Sequence, residues 1–481
     1  MLTDLTFLDP GQSWPPASEA QRLQQYCDNA LLFKGEHPAV FNDWYRLLRK
    51  DQQATLEIVI NLTKRLSTLW ADLLVGEPPT VTASDESSGE QDAVNRLFND
   101  NDLAIVMYEA ALDISRFGDS VLLIRLPAER SRSAIIEAIS PQVWFPVVSA
   151  TNVRDITAHV LGWTYDVGAG REKRTYLRVQ IHTAGWIENR LYEIEAGRIR
   201  QQLDGAALEP GWVDSEETRV DRPLVVQVPG LRTSDQLHGL DDYGDIISIV
   251  QEMSARVAQI SRILDKHADP SMYGSDENVK VDPKTGETQV DAAGGRYYTV
   301  REGQQPPGYV TWDGQLDAAF RELEVLLEYF YLTSETTPAA FGQLKAGLAE
   351  SGSALNRLLL APLAKTNRIR LRMDPRIRIA IQTAADLERM NGRGTPEIKG
   401  LTINWNDGLP DDIREQVQLE TWRVGSGISS RYKAIQRLDG GDDESIQDEI
   451  DRIDEDQASA AGVLAGGMAP GRLSLNPDEG Q

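Results

Sequence analysis

The sequence is poorest in the residues that carry chemistry. One cysteine, Cys27, stands in 481 residues, so no intramolecular disulfide can form and nothing points to an oxidising compartment. As a lone thiol it is expected to be buried. The five histidines, His37, His159, His182, His238 and His267, are scattered without ligand spacing. A zinc site is therefore not expected, and each should lie on the surface or be hydrogen-bonded in the core. No segment approaches ~18 unbroken apolar residues, and the amino-terminal MLTDLTFLDPGQSW lacks a basic stretch followed by an apolar one, so neither a membrane span nor a leader is expected. Positive charge is short as well. With 49 Lys and Arg against 74 Asp and Glu the formal charge is −25. A protein that grips nucleic acid by counterion release carries a basic surface, whereas this one repels phosphate on average. Tight DNA binding is therefore not expected, whereas passage of DNA without binding stays open.

Local catalytic signatures are missing too. There is no G-x-x-x-x-G-K-[ST], no G-x-G-x-x-G after a strand, no H-E-x-x-H and no G-x-S-x-G. GQLKAG has the first half of a phosphate-loop spacing, but Leu348 and Ala349 follow Gly347 where Lys and Ser or Thr are needed. No cofactor is expected. The acidic GLDDYGD lacks the ligand alternation of a calcium loop; Asp241 and Asp242 are better read as favouring the start of the helix that follows. Paired carboxylates on the Trp-containing, strand-rich part leave open a glycan-acting hydrolase as the alternative reading, although no spacing selects a pair.

What is present is pattern. The apolar and charged fractions, 41% and 26%, are those of a folded globular protein. TLEIVINLTKRLSTLWADLLVGEPP sets Ile58, Leu62, Leu66, Leu69 and Leu73 at three- and four-residue steps before Gly76, which predicts a helix. A second helix is predicted from about Glu90 to Phe117. From SVLLIRLP the period becomes two, through WFPVVSA, HVLGWTYDV, TYLRVQIHTAG, RLYEIEAGRIRQ and PLVVQVPG. Together these give an α+β domain ending near Gly230.

Beyond it, Ile246, Val250, Met253, Val257, Ile260 and Leu264 repeat at 4-3-4-3-4 spacing, an apolar seam on one long helix. Leu316, Phe320, Leu323, Leu327 and Phe330 form a second seam. The two helices are expected to pack antiparallel, with residues 268–313, including a strand-like RYYTVRE, as a small lobe at the tip. One hairpin cannot satisfy both seams, so these residues are expected to pack subunits against each other. AAFGQLKAGLAESGSALN, Ala339 to Asn356, interrupts two helical stretches with small residues. In the helical run after it, Pro362 and Pro375 should kink or segment the chain. LTINWND reads as a strand, PDDIREQVQLETWRVG and SRYKAIQRL as helices, and the acidic run from Asp439 to Asp456 as an amphipathic helix striped by Ile446, Ile450 and Ile453. Lys365, Arg368, Arg370, Arg372, Arg376 and Arg378 concentrate positive charge, with Asp374 the one acid nearby. They face either DNA or acidic surfaces of the same or a neighbouring chain, and in so acidic a protein the second is favoured.

LTKRLSTLWADLLVGEPPTV, SRFGDSVLLIR, TPAAFGQLKAGLAESGSALNRLLLAPLAKTNRIR and INWNDGLPDDIREQVQLETWRVGSGIS, in that order, resemble the portal proteins of tailed bacteriophages over roughly residues 50 to 455. The resemblance implies a portal-like fold: an α+β wing (1–240), stem helices (241–267 and 314–334), a clip (268–313), a channel loop (335–356), a kinked helix and wing strand (357–412), a small helical crown (413–457) and a flexible tail (458–481). It implies a non-enzymatic subunit of a ring, usually a dodecamer, at one capsid vertex of the virion, assembled in the host cytoplasm. The implied partners are a terminase motor, a head–tail adaptor, major capsid and scaffolding proteins, and double-stranded DNA passing without sequence-specific binding during packaging and ejection; no membrane is implied. Phe341, Gly342, Gln343, Lys345, Gly347, Ser351, Gly352 and Ser353 would then line the DNA channel. A generic ring-forming scaffold is the remaining alternative.

Overall fold

A computed structural model describes residues 1–41, 59–85, 89–129, 131–170, 173–268, 272–273, 279–281, 288–290, 308–309, 316–343, 357–406, 413–438, 440 and 445–455. The chain divides into two units, 1–344 with 358–408, and 345–357 with 409–481.

In the larger unit the described helices are α1 (Ala20–Lys34), α2 (Leu62–Val75), α3 (Glu90–Asp100), α4 (Leu103–Phe117), α5 (Ile247–Ala268), α6 (Leu316–Thr333) and α7 (Leu360–Met390). The strands are β1 (Thr80–Ala83), β2 (Asp119–Arg125), β3 (Ile135–Ile139), β4 (Trp144–Ser149), β5 (Asn152–Val167), β6 (Arg174–Thr183), β7 (Trp186–Glu195), β8 (Arg198–Leu203), β9 (Ser215–Glu217) and β10 (Val225–Pro229). Four very short strands follow, β11 (Met272–Tyr273), β12 (Val279–Val281), β13 (Thr288–Val290) and β14 (Gly308–Tyr309), and then β15 (Leu401–Asn404).

The period-two segments from β4 to β8 pair with their sequence neighbours, as antiparallel strands joined by short turns do, whereas β10 returns to pair with β2. The largest sheet runs β4-β5-β6-β7-β8, with β9 on β7. The amino terminus covers one of its faces: Leu2, Phe7, Leu8 and Trp14 pack against Phe145, Val160, Val179 and Tyr192. A three-stranded sheet, β10-β2-β3, packs under α2, α3, α4 and α7 through Leu97, Met107, Ile114, Leu122, Ile124, Val226, Ile377 and Ile381. β15 returns to pair with β1, Val81 opposite Ile403. Glu388, fully buried on α7, accepts from the Ala134 amide at 2.7 Å and pairs with Arg96 at 2.8 Å. Helix α7 is thereby tied to β3 and α3.

Three glycines decide how α4 turns into β2. Gly118 has φ +78°, and a Cβ there would stand 2.2 Å from the Gly239 carbonyl oxygen. The Gly230 amide donates to the Gly118 carbonyl at 2.7 Å, a backbone approach that side chains would block.

Several expectations need correction. The helix predicted over 90–117 is two, because Asp102 takes φ +45° and the Asn101 side chain bonds the Leu97 and Ala134 carbonyls and the Ile136 amide, which satisfies the broken turn. Helix α2 starts at Leu62, capped by the Asn61 side chain on the Lys64 amide; Ile58 lies outside the described residues. Cys27 is exposed, since α1 turns Tyr26, Asn29 and Leu32 inward instead. The prolines do not segment α7, which runs 31 residues. Pro362 sits in its first turn, where no amide is missed, and the carbonyl that Pro375 leaves unbonded belongs to Leu371, exposed to water. His182 is buried and, among the described residues, has no hydrogen-bond partner, neither of the two environments expected. RYYTVRE lies outside the described residues.

The smaller unit holds α8 (Ile413–Gly425), α9 (Arg431–Leu438) and a helical stretch over 445–455. Glu420 of α8 accepts from Arg423 of the same helix at 2.7 Å and from Arg437 of α9 at 3.0 Å, and Arg431 of α9 pairs with Asp454 of the third stretch at 2.8 Å. Ile446 is buried, Ile450 and Ile453 half-buried, as their stripe predicts.

Candidate assembly site

Helices α5 and α6 leave the body as a pair. Asp241 opens the first, its Oδ1 accepting from the amides of Tyr243 and Gly244 at 2.9 and 2.8 Å. Asp242 instead takes Lys365 Nζ at 2.8 Å and the Ser115 hydroxyl at 2.6 Å. Beyond α5, β11 pairs antiparallel with β14, which closes the base of the insert immediately before α6. Arg256 of α5 reaches Glu322 of α6 at 2.8 Å.

The apolar seams fall along this pair, with a gradient. Ile246, Val250, Met253 and Ile260 are buried and Val257 half-buried, but Leu264 is 48% exposed. On α6, Phe330 is fully buried, Leu316, Leu323 and Leu327 are half-buried, and Phe320 is 46% exposed. Tyr329 and Leu332 are exposed as well. Two slender rods have too little surface to cover both seams, so cover is complete only where the body contributes. Fully covering one such side chain is worth ~1.5–3 kcal/mol.

The sequence after α6 turns at once. A 3-10 turn, Pro338–Phe341, brings Phe341 against Phe330 and Tyr331, ring centroids 6.1 and 5.6 Å apart. Gly342 follows in the left-handed conformation with open space around it, and Gln343 is exposed. Lys345, Gly347, Ser351, Gly352 and Ser353 lie outside the described residues.

The basic run divides in two. Lys365 pairs with Asp242, and its ammonium lies 4.5 Å from the centroid of the Trp70 ring. Arg368 pairs with Glu335 at 2.5 Å and Arg378 with Asp374 at 2.6 Å, while Arg370 donates to the Leu73 and Asn406 carbonyls. Those four are held within the chain. Arg372 donates only to the Arg368 carbonyl, and neither it nor Arg376 forms an ion pair among the described residues.

Among the described residues no three His, Cys, Asp or Glu side chains group as a metal site would require, and no helix is long and apolar enough to cross a membrane. An α+β body carrying a two-helix arm whose apolar seam outlasts its own cover is the build of a protein that packs against other proteins. The family model "Phage portal protein, SPP1 Gp6-like" matches residues 16–462, and the chain belongs to that family, which is structural rather than enzymatic. Solved structures similar to it include a chain of the virion of a native gene transfer agent particle, 14% identical with TM-score 0.45, covering 89% of this chain and 96% of that one. Two more are chains of the neck of the empty particle computed with C6 symmetry (14%, TM-score 0.47) and of the native particle computed with C12 symmetry (16%, TM-score 0.40), each covering 78% of this chain and 88% of that one. No curated protein matches the chain.

Proposed function

We propose that this protein is the portal subunit of a phage-like particle: copies close into a ring, a dodecamer in the usual form of the family, at one capsid vertex. Double-stranded DNA passes through it during packaging and ejection, with no base-specific grip. The observation that carries this reading is the seam on α5 and α6, whose outer residues Leu264 and Phe320 stay uncovered in one chain and gain cover when neighbours pack side by side. Family membership over residues 16–462 supports it. So does the charge of −25, since a wall that bound phosphate strongly would have to release it at every step of a moving duplex.

Within this reading residues 1–240 form the wing, α5 and α6 the stem, 268–313 the clip on which terminase and head–tail adaptor dock, 335–356 the channel loop, and 413–457 the crown. Phe341 is the anchored end of that loop, held on Phe330 and Tyr331, and Gly342 its first free hinge. The test is direct. Purified protein should give annular particles in negative stain and a ring mass by light scattering. Replacing Gly342 and Gly347 with valine should leave rings intact and lower the DNase-protected DNA in a packaging assay. A strictly monomeric species at micromolar concentration refutes the ring, and normal packaging by the double-valine variant refutes the loop.

A further inference from the structure

The two unpaired arginines of α7 have company from far along the chain. Arg154, at the start of β5, donates to the Thr233 carbonyl at 2.7 Å, and Arg232 donates to the Leu237 carbonyl at 3.0 Å. Both are therefore pinned on the segment 231–240. Burial, and then the charges of Arg154, Arg376 and Arg372, push the Arg232 guanidinium below its ordinary pKa; burial does the same to Arg376. Their hydrogen bonds hold Arg154 and Arg232 together on that segment, Arg372 and Arg376 of α7 lie within electrostatic reach of Arg232, and none of the four forms an ion pair among the described residues. The acids close by are already engaged. Asp119 is buried under His238 and Gln227, at 2.8 Å each, and Asp235 takes the Thr233 hydroxyl. Leu231 and Leu240, bridged to each other and each about half exposed, give the patch an apolar centre.

Asp119 and Asp235 lie within electrostatic reach of these arginines, but four guanidinium groups outnumber them, and a local positive excess in a chain whose net charge is −25 is what an acidic surface would cover. The β9 side of the large sheet supplies the complement. Among the described residues β9 pairs with β7 alone, and its Glu216 and Glu217 are exposed and make no ion pair. Trp186 and Val213, half exposed, stand there as the apolar partners of the acids.

We propose that the arginine patch of one copy seats the β9 edge of the next, the guanidinium groups meeting Glu216 and Glu217 while Leu231 and Leu240 meet Trp186 and Val213. A basic face and an acidic face at two different places on one chain form a head-to-tail contact rather than an isologous pair, and such a contact gives a ring where its rotation closes. Opposite charges at its rim fix the register and speed encounter. This contact rests on the ring reading above and adds the surface by which neighbouring bodies meet. Duplex DNA is the competing acid, but a surrounding charge of −25 disfavours it.

Charge reversal tests the contact separately from the ring. Ring mass of the wild-type chain by light scattering reads the ring itself: a wild type that stays monomeric overturns both. Arg154→Glu with Arg372→Glu, two substitutions outside the buried core, should cut the ring fraction at least tenfold, and Glu216→Arg with Glu217→Arg should do the same. Mixing the two variant proteins should restore rings, because each then presents to the other the charge it lacks on itself. Circular dichroism spectra matching the wild type show that the variants are folded. Rings formed normally by either variant alone, or loss that mixing does not repair, overturn the proposal while leaving the wild-type ring intact. So does an arginine variant that assembles normally yet loses retention of a 30-base-pair duplex, which would assign the patch to phosphate.

Discussion

In the body, an apolar stripe on a helix is covered from its second turn on: Leu62 at the start of α2 is half-buried, and Leu66, Leu69 and Leu73 are all buried. On the α5–α6 arm a stripe of the same spacing is covered at one end and bare at the other, from Ile246 at 0% to Leu264 at 48% exposed. The residues are alike, and the number of neighbours differs. α2 has α1, α4 and α7 around it, whereas each rod of the arm has chiefly the other. A stripe read from sequence therefore marks a face that wants cover. Whether the cover comes from the same chain is settled by topology.

The sharpest way to break that comparison is to cut a side chain from each stripe. Leu66→Ala leaves a cavity in a close-packed interior and should lower the unfolding free energy of the isolated chain by ~2–5 kcal/mol. Phe320→Ala, on a residue already half in water, should cost the isolated chain about 1 kcal/mol or less and show its effect in the ring fraction instead. Urea denaturation below the assembly concentration, beside light scattering above it, separates the two. Equal losses in the isolated chain would mean that the arm is as well covered as the body.

The same contrast explains what could be read in advance. The period-two segments became strands, β5 with seven residues more at its start, and from β4 to β8 their hydrogen-bond partners are their sequence neighbours. The seams found α5 and α6 for a similar reason, as a helix is specified locally. What failed depended on distant groups. The break at Asp102 is held by Asn101 reaching Ala134, and Cys27 faces outward because Tyr26 has Phe117 to pack on. The arginine patch draws on Arg154, Arg232, Arg372 and Arg376, and no spacing announces a cluster assembled from three parts of the chain. Four of the six residues of the basic run are held within the chain, Lys365, Arg368 and Arg378 by Asp242, Glu335 and Asp374 and Arg370 by two carbonyls, and most of those partners lie far off in the sequence.

A second test uses acid, and it should act on the body. His159 and His182, opposite each other in β5 and β6, are held neutral by burial, with pKa values lowered to about 3 and about 4; the charges of His182 and Arg376 lower His159 further. Burial pushes Asp113 the other way, to about 6, against the pull of Arg116. Between about pH 6 and pH 4 the unfolded chain therefore takes up two protons on the histidines that the folded chain refuses, while folded Asp113 holds one that the unfolded chain releases. The net uptake of one proton on unfolding lowers stability by about 1.4 kcal/mol per pH unit. Urea midpoints at pH 7, 6 and 5 should fall in that order, and His182→Leu should remove about half of the histidine contribution. A flat profile would contradict the burial of the pair.

The smallest effect belongs to the contact that ties the arm together. Arg256 bridges Glu252 on its own helix at 2.7 Å and Glu322 across the pair at 2.8 Å, with the guanidinium 29% and the Glu322 carboxylate 45% exposed. In so wet a setting the Coulomb gain is screened and offset by the entropy of fixing two long side chains, so Glu322→Gln should cost the isolated chain about 0.2–1 kcal/mol. Glu252 remains to neutralise Arg256, which argues for the lower end. The loss should shrink further in 0.5 M salt, as an exposed pair requires. A cost above about 2 kcal/mol, or one that salt leaves unchanged, would mean that water does not reach this contact, and the arm would then resemble the body it has been set against.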